Sequence, residues 1–365
     1  MKAKSLTKMP KIRVLYYMPV AYSTLQDRLS WVKEHKFRGE LMYCILDTEK
    51  YGCTVLVPET KRYAVASKKL NLYYTWQLIR TAKQYDVIYS PYYQGLEWLI
   101  YLKAIGLFRK KIVVWHHNPI EDVPKKFLSR LRRMLFFRGC DALLFFTKTL
   151  RELSFNKGCS SEKMFVVDWG PDMAYFDNIR IAYSQCKGNY LMSGSDSRDF
   201  DSAIEAFSKE SSITFDVYPP SGDLYDKYRN QYDNIQVFKL EHNNVGYEKV
   251  AKATANCKAV IIITKPVPGR KLPSGLTSIC EAVALGKPCV ITDNPYFSDE
   301  MRHAGFAKFV KVGDVEGIRK AIVELEENPE LRLQMSEAAL AYARKYSSEN
   351  TAKQLVEIFK SVLKK

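Results

Sequence analysis

Residues 273–295 read PSGLTSICEAVALGKPCVITDNP, which combines a glycine-containing turn, an alanine-rich helical pattern and a strand. Gly275 lets the backbone turn sharply, and the pattern predicts a helix over residues 276–285 that ends at Gly-Lys-Pro. The first N–H groups of such a helix have no partner inside it, and the helix macrodipole makes that end positive. The segment therefore predicts an anion site with a diphosphate as the expected ligand.

The side chains of this segment suggest how such a ligand would be held. Ser274, Gly275, Leu276 and Thr277 form the predicted mouth of the helix. Glu281 lies one to two turns further on, where its carboxylate is expected to accept hydrogen bonds from a ribose diol. The same spacing also fits a core helix with a serine cap and an ordinary surface glutamate, so spacing alone leaves both interpretations open.

Short apolar runs alternate with amphipathic stretches on both sides of this segment. In the second half of the chain, the strand-like runs are 189–195, 213–219, 235–238, 259–264, 288–293 and 307–312. Those in the first half are 12–19, 39–46, 53–58, 86–90, 111–116, 142–147 and 163–168. Helical patterns occupy 21–36, 73–84, 95–107, 124–138, 199–209, 314–327 and 329–363, the last broken around YSSEN. This alternation predicts a mostly parallel α/β fold.

The pattern restarts near residue 189, and 176–189 lacks a strand or helix period, so we interpret it as a linker. We expect two Rossmann-like domains that face each other across a cleft, residues 1–185 and 186–345. Residues 346–365 are expected to form a C-terminal helix that returns to the N-terminal domain.

The net charge of +16 is unevenly distributed over the 365 residues. Residues 1–187 contain 32 Lys and Arg against 16 Asp and Glu, whereas residues 188–365 contain 24 of each. Such asymmetry points to an anionic partner, either a membrane surface or a nucleic acid. The basic residues of 125–138 interleave with apolar ones, which is typical of a helix that lies on an anionic membrane, although a packed helix with a solvated face has the same pattern.

The sequence contains no run of 18 apolar residues and no cleavable leader pattern. Its eight cysteines form no Cys-x-x-Cys pair and do not lie near histidine at zinc spacing. These features predict a cytoplasmic protein that is peripheral on the inner face of the membrane where the basic helix binds lipid.

The segment SGLTSICEAVALGKPCVITDNP resembles the donor-binding segment of retaining GT-B glycosyltransferases of the family-4 type, in particular those of polysaccharide assembly. Other stretches between residues 80 and 365 resemble the family in the same order, among them SGSDSRDFDSAIEAF and YARKYSSENTAKQLVEIFKSVL. The resemblance implies a GT-B fold, a nucleotide-diphosphate-sugar donor, a glycan or lipid-linked acceptor, and transfer with retention. We expect no metal or other cofactor.

The resemblance also implies roles for individual residues. Family members carry basic groups after the first strand of the second domain, beside a glycine that corresponds to Gly194; the usual arginine is replaced here, and Arg198 is the expected substitute. Lys271 is expected to add a second positive charge, and Gly170 matches a turn that contributes to the donor site. The family's first glutamate is replaced by Pro273, which leaves the identity of the sugar open.

Two histidines follow the strand KIVVW at its carboxyl end, where α/β folds place ligand groups. The resemblance implies that a histidine here contacts the donor sugar near the reacting carbon, and either His116 or His117 fits. Asp199 and Asp201 spell the Asp-x-Asp pattern of metal-dependent glycosyltransferases, but they and Asp196 are better interpreted as caps and first-turn acids of the helix 199–209.

Three functions are compatible with these features. The first is a hexosyltransferase of surface-glycan assembly, the second an NDP-sugar epimerase of the same fold, and the third a basic nucleic-acid-binding protein. The basic stretches contain no recognised nucleic-acid module, so we expect no nucleic-acid partner.

Overall fold

The structure is a computed structural model and describes residues 11–18, 25–58, 68–183, 188–194, 197–240 and 244–364. These residues form two compact units. Unit 1 contains the described residues of 1–34, 39–169 and 348–365, and unit 2 contains those of 35–38 and 170–347.

Each unit is built from parallel strands and the helices that connect them. The strands of unit 1 are β1 (Ile12–Tyr16), β2 (Cys53–Leu56), β3 (Val87–Ser90), β4 (Lys111–Trp115), β5 (Ala142–Phe145) and β6 (Met164–Val166). Those of unit 2 are β7 (Tyr190–Ser193), β8 (Phe215–Tyr218), β9 (Ile235–Val237), β10 (Ala259–Ile262), β11 (Cys289–Thr292) and β12 (Ala307–Val310).

The helices follow in chain order. Unit 1 contains α1 (Leu25–Lys33), α2 (Lys68–Arg80), α3 (Glu97–Ala104), α4 (Phe127–Gly139) and α5 (Lys148–Glu152). Unit 2 contains α6 (Met173–Tyr183), α7 (Phe200–Ser208), α8 (Gly222–Tyr228), α9 (Asn244–Asn256), α10 (Leu276–Ala284), α11 (Asp299–Arg302), α12 (Val315–Glu327) and α13 (Pro329–Lys345). The final helix, α14 (Ser348–Lys364), belongs to unit 1.

The strand order of each sheet shows where the chain changes the side on which it adds successive strands. The sheet of unit 1 has the order β2-β1-β3-β4-β5-β6, and that of unit 2 has the order β12-β11-β10-β7-β8-β9. The second order is the doubly wound Rossmann order, because the chain moves outward from β7 to β9 and then returns to start again at β10. The switch point of unit 2 therefore lies between β7 and β10, which pair in parallel.

The core of unit 2 explains why its strands are almost entirely apolar. Val260 and Ile262 of β10 belong to one hydrophobic cluster, and Ala259 and Ile261 belong to another. Because alternate residues of a strand point to opposite faces, this sheet is covered by apolar packing on both sides. Strands of this kind are continuous apolar runs rather than alternating ones.

Two local predictions are wrong. Residues 39–46, predicted as a strand, begin with a 3-10 helix over Gly39–Met42, and Tyr43 and Cys44 have positive φ angles of 52° and 59°. Residues 176–189, predicted as a linker, begin inside helix α6, and Phe176 and Ile179 of that helix are buried in the core of unit 2. The predicted boundary near residue 185 therefore lies inside unit 2.

The helical end of the chain follows the prediction. The helical pattern breaks between α13 and α14, within YSSEN, as predicted. Helix α14 packs in unit 1, where the Ser348 hydroxyl donates to Asp47 at 2.7 Å and the Phe359 ring contacts Tyr89 with 5.6 Å between centroids. The predicted return of the C-terminal helix to the N-terminal unit is confirmed.

Candidate functional site

The switch point of unit 2 brings together the loop after β7 and the loop after β10. Arg198 follows β7 and forms an antiparallel bridge with Thr264, which follows β10. The Nε of Arg198 donates to the carbonyl of Ser193 at 3.0 Å, and its Nη2 donates to Ser278 Oγ at 2.7 Å. The arginine is thus fixed between the end of β7 and the first turn of α10, with only 9% of its surface exposed.

Two glycines make this arrangement possible. Gly194 has a φ of 113°, and a Cβ there would lie 2.7 Å from Nη2 of Arg198. Gly275 has a φ of 96°, and a Cβ there would lie 2.9 Å from Cγ2 of Ile262. Both positions combine a left-handed backbone with a close approach, so a side chain would displace the arginine or the helix start.

The amino end of α10 is the mouth that the sequence predicts. Gly275 is the N-cap residue and supplies no side-chain cap, while Ser274 and Leu276 are half-buried and Thr277 is exposed. A helix start without a side-chain cap leaves N–H groups available to an anion. Arg198 lies against this helix start, so it places a guanidinium beside those N–H groups.

Glu281 differs from its predicted setting. It is 5% exposed; one carboxylate oxygen accepts a hydrogen bond from Thr254 Oγ1 at 2.8 Å, and the other is ion-paired with Arg38. Arg38 also lies over the ring of Tyr247, 5.7 Å from its centroid. In this structure the carboxylate of Glu281 is therefore bound to side chains of the protein itself, and its contact with a ribose stays a prediction.

The other predicted residues of unit 2 are dispersed. Lys271 is exposed in the loop that leads to the helix mouth. Gly170 is buried against the end of α13, and a Cβ there would lie 1.2 Å from the carbonyl oxygen of Tyr346. This close approach gives Gly170 a packing role, and the geometry gives it no direct link to the mouth of α10.

The acids of the suggested metal pattern have other partners. Asp199 caps α7 by accepting from the backbone and hydroxyl of Ser202, and Asp201 is paired with Lys227 at 2.7 Å. Asp196 lies outside the described residues. Within the described parts of the chain, no group of three or more His, Cys, Asp or Glu side chains could hold a metal ion.

The two histidines of unit 1 differ in their surroundings. The Nδ1 of His116 lies 2.6 Å from the carbonyl of Asn118, so it must donate, and Nε2 is the acceptor nitrogen. The Nε2 of His117 donates to the carbonyl of Pro91 at 2.8 Å, and its ring stacks on Tyr92 at 4.9 Å. Burial lowers the pKa of both imidazoles, which favours the neutral form at pH 7.

A cavity in unit 1 distinguishes His116 from His117. It has a volume of about 380 Å³ and lies beside α3, α4 and the loop after β4. His116 lines it, together with Tyr93, Glu97, Glu121 and Arg132. Aromatic rings, carboxylates and a guanidinium are groups that bind polar organic molecules, so His116 lines a cavity suited to such a ligand.

Helix α4 carries the basic apolar surface that the sequence predicts. Phe127, Leu128 and Met134 are 75%, 64% and 53% exposed. The exposed basic residues on and beside the helix are Lys125, Lys126, Arg130, Arg132 and Arg138. We call these apolar and basic residues the α4 surface. Within the described residues, no helix is long and apolar enough to cross a membrane.

Comparison with known proteins supports the fold assignment. Residues 245–342, which include β10 and the mouth of α10, match the family model described as glycosyl transferases group 1. The structure is similar to Anabaena HepE in complex with UDP and glucose, with a TM-score of 0.62 at 16% identity over 96% of this chain and 100% of that one. The protein therefore has the GT-B fold, and its second unit contains the segment that matches the group 1 model.

Two further solved structures extend this result. A glycosyltransferase from Rickettsia africae gives a TM-score of 0.65 at 14% identity, covering 98% of this chain and 99% of that one. A UDP-N-acetylglucosamine 2-epimerase gives 0.54 at 15% identity, with 95% of each chain covered. No curated protein sequence matches the chain.

Sequence reasoning missed Arg38 and the cavity around His116. Arg38 lies 243 positions from Glu281, and no local pattern marks it as a member of unit 2. The cavity could have been anticipated only in part, because His116 stands at a strand end while Glu97 and Arg132 lie on separate helices.

Proposed function

We propose that this protein is a glycosyltransferase that moves a sugar from a nucleotide-diphosphate sugar to a glycan or lipid-linked acceptor, with retention. The observation that carries the proposal is the position of Arg198 against the uncapped start of α10, at the switch point of unit 2. The group 1 match includes α10, and HepE, which has the same fold, is described with UDP-glucose.

The chemistry needs a site that accepts a leaving diphosphate. The bond between the anomeric carbon and the diphosphate oxygen breaks, and its electron pair leaves with the diphosphate. The acceptor hydroxyl oxygen forms the new glycosidic bond on the same face, and its proton passes to the leaving diphosphate. Arg198 and the N–H groups of the α10 mouth would stabilise the charge that develops on the diphosphate. His116 would contact the sugar near the reacting carbon through its neutral imidazole.

Nucleotide binding provides the first test. A panel of nucleoside diphosphates is expected to include at least one that raises the thermal midpoint, because a ligand at about 100 times its Kd stabilises the folded state by about 2.7 kcal/mol. Differential scanning fluorimetry would measure the shift. If no member of the panel raises the midpoint, the donor assignment is wrong.

An epimerase is the second candidate, since an enzyme of that activity has a similar fold. A transferase is expected to consume the nucleotide sugar mainly when an acceptor is present, whereas an epimerase needs none. Incubation with a donor and no acceptor, followed by chromatography of the products, separates the two. Rapid acceptor-independent formation of an isomeric or free sugar would favour the epimerase.

The α4 surface is proposed to hold the enzyme on an anionic membrane, where a lipid-linked acceptor would lie. Exposed phenylalanine and leucine would enter the interface, and each basic residue near anionic lipid would contribute about 1 kcal/mol. Trp98 of α3, the helix that packs against α4, is also 55% exposed. An aromatic ring of this kind is typical of membrane–water interfaces.

Vesicle co-sedimentation tests this surface. The protein is expected to bind anionic vesicles at low salt, and the double variant Phe127→Ser/Leu128→Ser is expected to lose most of that binding. The matched control Ile181→Ser/Val312→Ser removes exposed apolar residues of unit 2 and should bind like the wild type. Equal binding to neutral and anionic vesicles would contradict the proposal.

A further inference from the structure

A second cavity lies in unit 2, at the opposite end of the sheet from the α10 mouth. It has a volume of about 360 Å³, which is within the range of small-molecule sites. Its walls include the turn that precedes β11, the residue that precedes β10, and one side of α13. The α10 mouth follows the carboxyl end of β10, so the two features are separated by the length of the parallel strands.

The charge of this cavity is one-sided. Among the described residues that line it, four are basic, Arg180, Lys258, Lys287 and Arg332, and none is acidic. Residues 188–365, which contain three of these four basic residues, have 24 basic and 24 acidic residues in all, so this cluster does not reflect a general excess. The nearby acids Asp177 and Glu326 pair with Arg180 and Lys258.

Part of this charge has a structural role. The Nζ of the buried Lys287 donates to the carbonyl of Cys257 at 3.0 Å, and Arg332 donates to the carbonyls of Leu325 and Glu326 at the end of α12. The carbonyl oxygens satisfy these donors of Arg332 without neutralising its charge. Arg332 uses Nη1 in these bonds, and a guanidinium has five N–H groups in all.

The rest of the cavity wall is apolar. Leu285, Leu333 and Leu340 line it together with Pro288 and Pro329. A site for inorganic ions has no need of such a wall, whereas an organic anion would place its charged head at the cations and its apolar part against the leucines.

We propose that this cavity is a second binding site, separate from the donor site, for a small organic anion with a phosphate or carboxylate head and an apolar body. The proposal does not depend on the transferase assignment, because it rests on the cavity alone. The cavity includes the turn that directly follows α10, the helix whose other end forms the donor mouth, so a ligand here would contact that turn.

The fluorescent anion anilinonaphthalene sulfonate is a suitable probe, because it combines an anionic head with apolar rings. We expect saturable binding to the full-length protein, and displacement by hexyl phosphate or hexanoate but not by hexanol. The comparison of the two anions identifies the preferred head group. Displacement by hexanol as effective as that by the anions, or displacement by UDP, would overturn the proposal.

Three variants locate the probe. Lys258→Gln/Arg332→Gln is expected to weaken dye binding about ten-fold or more, since a hydrogen bond to a charged group contributes about 1.5–3 kcal/mol. The control Lys249→Gln/Lys311→Gln removes two exposed lysines of unit 2 outside the cavity and should bind like the wild type. Ser336→Phe keeps every charge but fills the space, and it should also abolish binding. Unchanged binding in both cavity variants would show that the dye binds elsewhere.

Discussion

Replacing Arg38 with alanine is expected to lower the free energy of unfolding by about 3–5 kcal/mol, because it leaves a buried carboxylate without its counter-charge. Arg38 and Glu281 are 7% and 5% exposed, so water cannot substitute for the lost guanidinium. Thr254 still donates to one oxygen of Glu281, but a single hydroxyl does not neutralise a charge. Urea denaturation followed by circular dichroism would measure the loss.

Two comparisons identify the cause of this loss. Arg229→Ala removes an arginine whose ion pair with Asp226 is more than half exposed, and it should cost less than about 1 kcal/mol. The double variant Arg38→Met/Glu281→Leu removes both charges and should recover much of the stability, since apolar residues can replace a buried pair at little cost. A loss in Arg38→Ala no larger than that in Arg229→Ala would show that the pair is not a buried unit.

The regular elements were predictable because their patterns are local. A buried parallel strand such as β10 is a short apolar run bounded by turn residues, and the turn at Gly275 identifies the start of α10. The break between α13 and α14 was predictable for the same reason. The doubly wound order follows once successive parallel strands are connected through helices.

The two errors arose where local pattern and tertiary packing diverge. Residues 39–46 are apolar enough for a strand, but Glu40 is fully buried and the chain turns through left-handed residues at 43 and 44. Helix α6 carries a usable signal, since Tyr175, Phe176 and Ile179 are spaced to cover one helical face. The polar residues that follow it obscured that spacing.

The candidate site was predictable only where its residues are close in sequence to a strand end. Gly194 and Arg198 directly follow β7, and Ser274 to Thr277 follow the loop after β10, so topology brings them to one switch point. The environment of Glu281 depends instead on a segment from the beginning of the chain. No sequence pattern within α10 indicates that the carboxylate of Glu281 is enclosed by Arg38 and Thr254.

Arg198→Lys is expected to reduce kcat about 100- to 1,000-fold with little effect on the fold. The lysine keeps the positive charge but lacks the planar guanidinium, whose several N–H groups have a fixed geometry. In the structure, Nε and Nη2 are held by Ser193 and Ser278, an orientation that a lysine ammonium cannot reproduce. An arginine placed in this way lies beside the uncapped start of α10, where the diphosphate is proposed to bind. Steady-state kinetics with the preferred nucleotide sugar would measure the loss.

Two further variants separate an effect of Arg198→Lys on catalysis from an effect on folding. Arg229→Lys makes the same chemical change on the exposed end of α8 and should leave kcat unchanged. Ser278→Ala removes one support of Arg198 and should cause an intermediate loss, because the guanidinium keeps its bond to Ser193 but can rotate. The thermal shift with the preferred nucleoside diphosphate should fall in the same order as kcat. If Arg198→Lys keeps both the activity and the nucleotide shift of the wild type, Arg198 only supports the turn, and the diphosphate must be held by other groups.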